Sequence, residues 1–336
     1  MFLGTTTCII DLGTQYRLRA VKEIEIKKSV HQIVQTAKVV LPLSVVIQNH
    51  DMLEHIKLTE KIKEGDKIQL SFGYNGNNNT EFVGYIRNIN YKIPIELECE
   101  DNMYNFRQTN INKSWKRDSL KNILNDILKI VFQSQGYQLQ LLDGVPDIIV
   151  ENLICSDQTA LWLLQTILDR YPLLGIYLVN DNGVEKLYCG LLYGRKVGDV
   201  KYMLDANCQE GDLAYKKDVT PTKVIVETIN KKGKLEKTVF GDTHSKNTFK
   251  IRIPGEVSEI EKKKVAQEEL TRRTYEGYRG GIKAFLKPYI EPGMIANIGS
   301  KQFPDRSGKY YIGTVTTTFG TNGGKRKPQI EFKTST

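Results

Sequence analysis

Histidine and cysteine, which most often carry metal and nucleophile chemistry, are scarce and scattered in this chain of 336 residues. The four histidines are His31, His50, His55 and His244. Only His50 and His55 are near each other, five apart across Asp51. A metal-binding helix needs histidines at i and i+4 with further ligands, so an exposed loop or short helix is the plainer reading. The five cysteines, Cys8, Cys99, Cys155, Cys189 and Cys208, are odd in number and never spaced Cys-x-x-Cys. That spacing supports neither a zinc site nor a disulfide framework, and the thiols read as small buried groups of a chain made in a reducing cytoplasm. Cys155 precedes a helix start, where a thiol pKa can fall, although burial at the helix entrance is the commoner arrangement. No run approaches the ~20 apolar residues that span a bilayer. Met1-Phe2-Leu3-Gly4-Thr5 shows no basic segment followed by a long apolar run, so no signal peptide is expected.

Other catalytic signatures are missing too. There is no Gly-x-Ser-x-Gly elbow. Gly73-Tyr74-Asn75-Gly76 and Gly190-Leu191-Leu192-Tyr193-Gly194 lack the Lys-Ser/Thr and the following helix of a phosphate loop. Glu96, Glu98, Glu100 and Asp101 read as the solvated face of a strand, and no carboxylate pair stands out as a glycosidase acid and base. The residues therefore nominate no catalytic, cofactor-binding or metal-ligating position, no cofactor and no enzymatic activity, which moves weight towards an assembly role.

What the chain does have is positive charge, tyrosine and two clear periods. Net charge is +9, with 48 Lys and Arg against 39 Asp and Glu, and there are 17 tyrosines. The basic clusters Lys231-Lys232-Gly233-Lys234 and Lys325-Arg326-Lys327 sit in turn-like settings and read as solvated. Tyr310 and Tyr311 could stack on single-stranded bases, with core or interface packing the commoner explanation. The first ~95 residues alternate with a period of two. Ile68, Leu70, Phe72 and Tyr74 share one face, Asn75-Gly76-Asn77-Asn78-Asn79 supplies a turn, and Ile93, Ile95, Leu97 and Cys99 share a face beyond Pro94.

The middle changes to a helical period. Leu120, Ile123, Leu124, Ile127, Leu128 and Val131 form one stripe, with Asp118 as N-cap and Gly136 as stop. A second helix follows Ser156-Asp157 with Leu161, Leu164, Ile167, Leu168 and Tyr171, and a hairpin surrounds Asp181-Asn182-Gly183. Strands then return at 222–228. One helix opens on the capping box Ser258-x-x-Glu261, carries a narrow stripe of Val265, Ala266, Leu270 and Arg273, and is expected to end at Gly280-Gly281. The expected class is α+β and β-rich, with two β-barrel-like domains flanking an α+β insertion: 1–98, then 99–210, then 211–336 with its one helix.

One pattern occurs twice. Gly65-Asp66-Lys67-Ile68 precedes Tyr85-Ile86-Arg87-Asn88-Ile89, and Pro292-Gly293-Met294-Ile295 precedes Tyr311-Ile312-Gly313-Thr314-Val315 at nearly the same spacing. Each is a glycine turn, a strand, a loop and a Tyr-Ile strand, as if one small β unit had been used twice.

Three further segments carry a resemblance. Ile95-Glu96-Leu97-Glu98-Cys99-Glu100-Asp101 leads to Lys113-Ser114-Trp115 and the helix from Asp118; Asp157-Gln158-Thr159-Ala160-Leu161-Trp162-Leu163-Leu164 follows. The last runs from Ala266 and Leu270-Thr271-Arg272-Arg273 through Pro288 and Pro292-Gly293 to Ser307-Gly308-Lys309-Tyr310-Tyr311-Ile312, and closes in Phe319-Gly320-Thr321-Asn322-Gly323-Gly324. In this order they resemble the phage tail baseplate hub proteins, including the late-control family, and are similar to the hub half of type VI secretion spike proteins. The resemblance implies a non-enzymatic homotrimer whose six barrels make a pseudo-sixfold ring. It would join the tail tube protein to a separate spike protein around a channel through which DNA passes without specific binding. It implies synthesis in a bacterial cytoplasm, assembly into a virion tail baseplate or phage-like particle, and no membrane span. The alternative from charge and tyrosines is a nucleic-acid-binding protein built on OB-like barrels.

Overall fold

The structure, a computed structural model, describes all residues except 1–3, 14–15, 50–51, 182, 210–211, 218, 230–233, 254–256 and 335–336, and only the backbone of 45–49, 52–56 and 229. His50, Asn182 and Lys231-Lys232-Gly233 thus lie outside the described residues, as does the His55 side chain.

The N-terminal part is nine strands: β1 Thr6–Leu12, β2 Tyr16–Leu18, β3 Glu23–Ser29, β4 Thr36–Leu41, β5 Ser44–Asn49, β6 Met52–Lys57, β7 Lys67–Tyr74, β8 Asn77–Asn90 and β9 Ile95–Asp101. The period of two is realised in β7, where Ile68, Leu70, Phe72 and Tyr74 are all buried. Asn75 and Gly76, at φ 53° and 79°, make the two-residue turn into β8. Ile95, Leu97 and Cys99 enter the same core, but Ile93 is 82% exposed and does not continue the stripe. The strand begins only after Pro94, which cannot donate to a ladder.

The insertion is two strand-to-helix units. β10 Asn110–Ser119 and β12 Ile149–Thr159 pair antiparallel, and each runs directly into a helix, α2 Leu120–Gln135 and α3 Ala160–Arg170. One turn of helix, α1 Tyr104–Arg107, precedes β10. The α2 cap is Ser119 rather than Asp118, because the backbone stays extended through Ser119, whose Oγ accepts from Asn122 N at 3.2 Å. Asp118 instead accepts from Ser119 N at 2.7 Å. Gly136, in the left-handed region at φ 64°, ends the helix as expected. α3 starts later than expected, because residues up to Thr159 remain paired with β10 and Thr159 Oγ1 caps Trp162 N at 3.1 Å. The short β11 Gln140–Leu141 joins the hairpin β13 Leu174–Asp181 and β14 Val184–Leu191.

The C-terminal part comprises β15 Asp199–Met203, β16 Cys208–Gln209, β17 Ala214–Lys216, β18 Lys223–Ile229, β19 Leu235–Gly241, β20 Thr248–Ile253, α4 Glu259–Arg273, β21 Gly277–Gly281, β22 Lys283–Phe285, β23 Ile295–Gly299, β24 Gly308–Gly320 and β25 Gly323–Lys333. Only half of the capping box forms. Ser258 Oγ accepts from Glu261 N at 3.2 Å, whereas Glu261 accepts from Asp147 N at 3.2 Å. α4 ends at Arg273 and not at Gly280-Gly281, which lie inside β21. Gly280 serves a close strand approach: a Cβ there would stand 2.0 Å from Asp212 O.

Fifteen strands form one sheet, with the path β16-β22-β25-β24-β3-β4-β9-β8-β7-β1-β2. No closed barrel is detected among the described residues, where the path stays open at β2 and β16. The two halves are continuous because β24 pairs antiparallel with β3, from Thr314 opposite Ser29 to Gly320 opposite Glu23. The architecture is nonetheless β-rich α+β, as expected. Three apolar cores fill it. One surrounds Ile10, Ile24, Leu70 and Leu97; one surrounds Tyr202, Tyr310, Tyr311 and Ile312; the third joins α2 and α3 to Val226, Ile251 and Val265.

Candidate functional site: the repeated turn and the joint between the halves

The repeat seen in sequence recurs as a repeat of hydrogen bonds. Gly65 N donates to Ile86 O at 2.8 Å and Ile86 N returns to Asp66 O at 2.9 Å. Gly293 N donates to Ile312 O at 2.8 Å and Ile312 N returns to Met294 O at 3.0 Å. Both glycines are left-handed, at φ 88° and 89°, a conformation that favours a residue without Cβ. Lys67 stands opposite Tyr85, and Ile295 opposite Tyr311. The pairing with the next strand then slips at the same place, between Ile86 and Asn88 and between Ile312 and Thr314, while the second copy also slips between Tyr311 and Ile312, where the first does not. Arg87 and Gly313 are therefore the extra residues of matching bulges. The environments differ: Tyr85 stacks on Tyr104 at 4.9 Å between ring centroids, and Tyr311 stacks on Phe332 at 5.3 Å.

The halves also meet face to face. Arg326 and Glu81, only 2% and 3% exposed, form a bidentate pair between β25 and β8. Arg326 also donates to Leu286 O at 2.8 Å and Thr317 Oγ1 at 3.2 Å. The Lys325-Arg326-Lys327 run is thus no solvated turn. It lies on β25, and the period of two turns Arg326 inward while Lys327 reaches out to Asp212 at 2.8 Å.

Beside this pair lies a cavity of about 220 Å³ where β3, β8, β9, β13 and residues 289–292 converge. The expected solvated face of β9 is largely covered, because the strand lies between β4 and β8 and under the insertion. Glu98 is exposed, but Glu96, Glu100 and Asp101 are buried. Lys38 and Lys92 hold Glu96 at 2.8 Å each, and Arg107 grips Glu100 with two bonds of 2.8 Å. Asp101 accepts from Gln35 N and Met103 N at 3.1 Å each. Burial nonetheless pushes its carboxyl up to about 8, with Glu185 and Glu100 adding to the rise. Burial also pushes Glu291 up, but Lys28 at 3.1 Å and the Tyr289 hydroxyl outweigh it and hold the group below the usual carboxylate range. Sequence reasoning missed this joint. Its only signal was four acids in one short strand.

The other nominated residues stay apart. His31 contacts Glu331 at 2.8 Å, and among the described residues no group of three or more His, Cys, Asp or Glu could hold a metal ion. Cys8, Cys99, Cys155 and Cys189 are buried and unpaired. Burial raises the Cys155 thiol, which is opposite to an activated nucleophile. Tyr310 and Tyr311 have no exposed surface, so neither can stack on a base.

Solved structures share this arrangement over nearly the full chain. A tail protein from Neisseria meningitidis MC58 matches at TM-score 0.64 and 11% identity, over 98% of this chain and 97% of that one. The fold is that of phage tail proteins. The 43 kDa tail protein of prophage MuSo2 from Shewanella oneidensis matches at 0.61 and 12%, over 96% and 97%. An Escherichia coli type VI secretion component, described as structurally similar to the T4 tail proteins gp27 and gp5, matches at 0.60 and 10%, over 97% and 77%. The resemblance read from the sequence therefore holds at the level of fold. No protein-family model and no curated protein sequence matches the chain.

Proposed function

We propose that this protein is a non-enzymatic structural hub of a phage tail baseplate or phage-like particle. It would be a homotrimer in which barrel-like units at 1–98 and 211–336 flank the insertion at 99–210. The observation that supports this best is the duplicated unit, with the same turn, the same Tyr register and the same bulge at Gly65–Asn88 and Gly293–Thr314. A chain with two such units presents six as a trimer, which is what a sixfold tube protein meeting a threefold spike-type protein requires. Among the described residues the sheet path ends at β2 and β16, and edges of this kind are pairing templates that neighbouring protomers would cover. The ring would enclose a channel through which DNA passes without base readout, in a particle assembled after synthesis in a bacterial cytoplasm. Sedimentation and negative-stain imaging test it. The expectation is a species of three times 38.3 kDa and ring-shaped particles; a strict monomer at every concentration, without rings beside a spike-type partner, would sink the proposal.

A further inference from the structure

A second cleft, of about 410 Å³, opens at the C-terminal end of α4, away from the joint. Four cations line it: Arg272 and Arg273 from the last turn of α4, Lys216 from β17 and Arg279 from β21. The helix end explains the first two, since cations complement the partial negative charge there. It does not explain Lys216 and Arg279, which β17 and β21 bring together by pairing Ala214 opposite Arg279 and Lys216 opposite Gly277.

The acids nearby are already engaged. The buried Glu269 is shared by Arg272, at 2.8 and 3.1 Å, and by Arg273. Glu331, in the cleft wall, is held by His31 at 2.8 Å. Lys216 makes no ion pair among the described residues. Arg279 lies over the Tyr275 ring at 4.1 Å and reaches Tyr275 O only at 3.5 Å, and its Nε is buried with no acceptor. The Arg279 guanidinium is thus held by ring stacking and one long hydrogen bond, with no carboxylate on it among the described residues. Asn247, bonded to Thr222 Oγ1 at 2.9 Å, adds a neutral polar wall.

We propose that this cleft binds one oxyanion, a carboxylate or phosphate group, held by Arg279 and Lys216 with Arg273 beside them. Arg279 and Lys216 each supply positive charge and N–H donors of the kind that hold an oxyanion. The site is independent of the hub reading. The group comes either from a free phosphate or from an acidic side chain of a neighbouring protein.

The test is a calorimetric and thermal-unfolding titration of the full chain at pH 7 with inorganic phosphate, and in a second arm with a short glutamate-rich peptide, against chloride at equal ionic strength. Binding beyond chloride is expected in at least one arm, and the tighter arm identifies the source. Lys216→Gln and Arg279→Gln are each expected to weaken it by about tenfold or more, the scale of one charge-assisted hydrogen bond. Lys301→Gln, an exposed lysine outside the cleft, should change nothing, which controls for general salt stabilisation. Lys216 is at the surface, so its variant carries the test even if Arg279→Gln unfolds. No preference over chloride in either arm, or equal binding by Lys216→Gln and the wild type, would overturn the site.

Discussion

Replacing Arg326 by Met should be among the most damaging single changes in the protein. The side chain is 2% exposed and gives Glu81 two hydrogen bonds, with further bonds to Leu286 O and Thr317 Oγ1. Arg326→Met leaves Glu81 as an unpaired charge at 3% exposure, and removing one partner of a buried pair costs about 3–5 kcal/mol. That is a large share of the ~5–15 kcal/mol that holds a folded domain together. Removing both charges is a different perturbation. The Glu81→Leu/Arg326→Met double variant has no stranded carboxylate, and such replacements are often near neutral. It still leaves Leu286 O without its donor, at about 1–3 kcal/mol. The double variant should therefore be more stable than Arg326→Met by roughly 2 kcal/mol or more. Urea unfolding followed by circular dichroism reads the sheet, while Trp115 and Trp162 fluorescence reads the insertion. The sheet signal should shift more, because the pair joins β8 to β25. A single variant within 1 kcal/mol of wild type, or a double variant no more stable than Arg326→Met, would refute the reasoning.

Three further outcomes follow from local geometry. Asp101 titrates near 8 in the fold and near 3.8 when unfolded. The unfolded chain therefore holds fewer protons between these values, and this group makes stability fall as pH rises from about 4 to 8. Asp101→Asn should flatten that slope in urea midpoints taken from pH 5 to pH 9, and parallel slopes for variant and wild type would contradict the burial argument. Asn has one acceptor oxygen where Asp101 uses two, so at the acid end of the range the variant should be less stable by about 1–3 kcal/mol, a deficit that shrinks as pH rises because only the wild type carries the slope. Gly65→Ala and Gly293→Ala, at near-identical φ and with no atom closer than 3.3 Å to the added Cβ, should each cost about 1–2 kcal/mol. Costs differing by much more than that would count against equivalent turns. Cys155, buried and with a raised thiol pKa, should label with a thiol reagent only at the rate of unfolding; fast labelling of the native protein would show the helix entrance to be open.

Local periodicity is where the sequence was most legible. The stripe Leu120, Ile123, Leu124, Ile127, Leu128 and Val131 is buried in full, and the alternation in β7 is equally clear. Boundaries were less so. Asp118 and Ser119 are both good caps, and the choice fell to the strand pairing that keeps Ser119 extended. Gly280-Gly281 resembled a helix stop because glycine also marks close strand contacts, and nothing local separates the two uses. Charge was misread most. Glu100, Asp101 and Arg326 carry surface-type side chains; Asp101 and Arg326 meet Gln35 and Glu81 far along the chain, whereas Glu100 is held by Arg107, seven residues on.

By itself the sequence determined the β-rich α+β class, the helical stripes of the insertion and the duplicated Gly and Tyr-Ile unit, since each follows from spacing within about twenty residues. Only the tertiary structure decided that the two copies share one register and bulge, that β24 joins β3 into a single open sheet, and that Glu81 meets Arg326 inside it. The last two pair residues hundreds of positions apart, where burial and hydrogen-bond satisfaction select the partner and no local period records it.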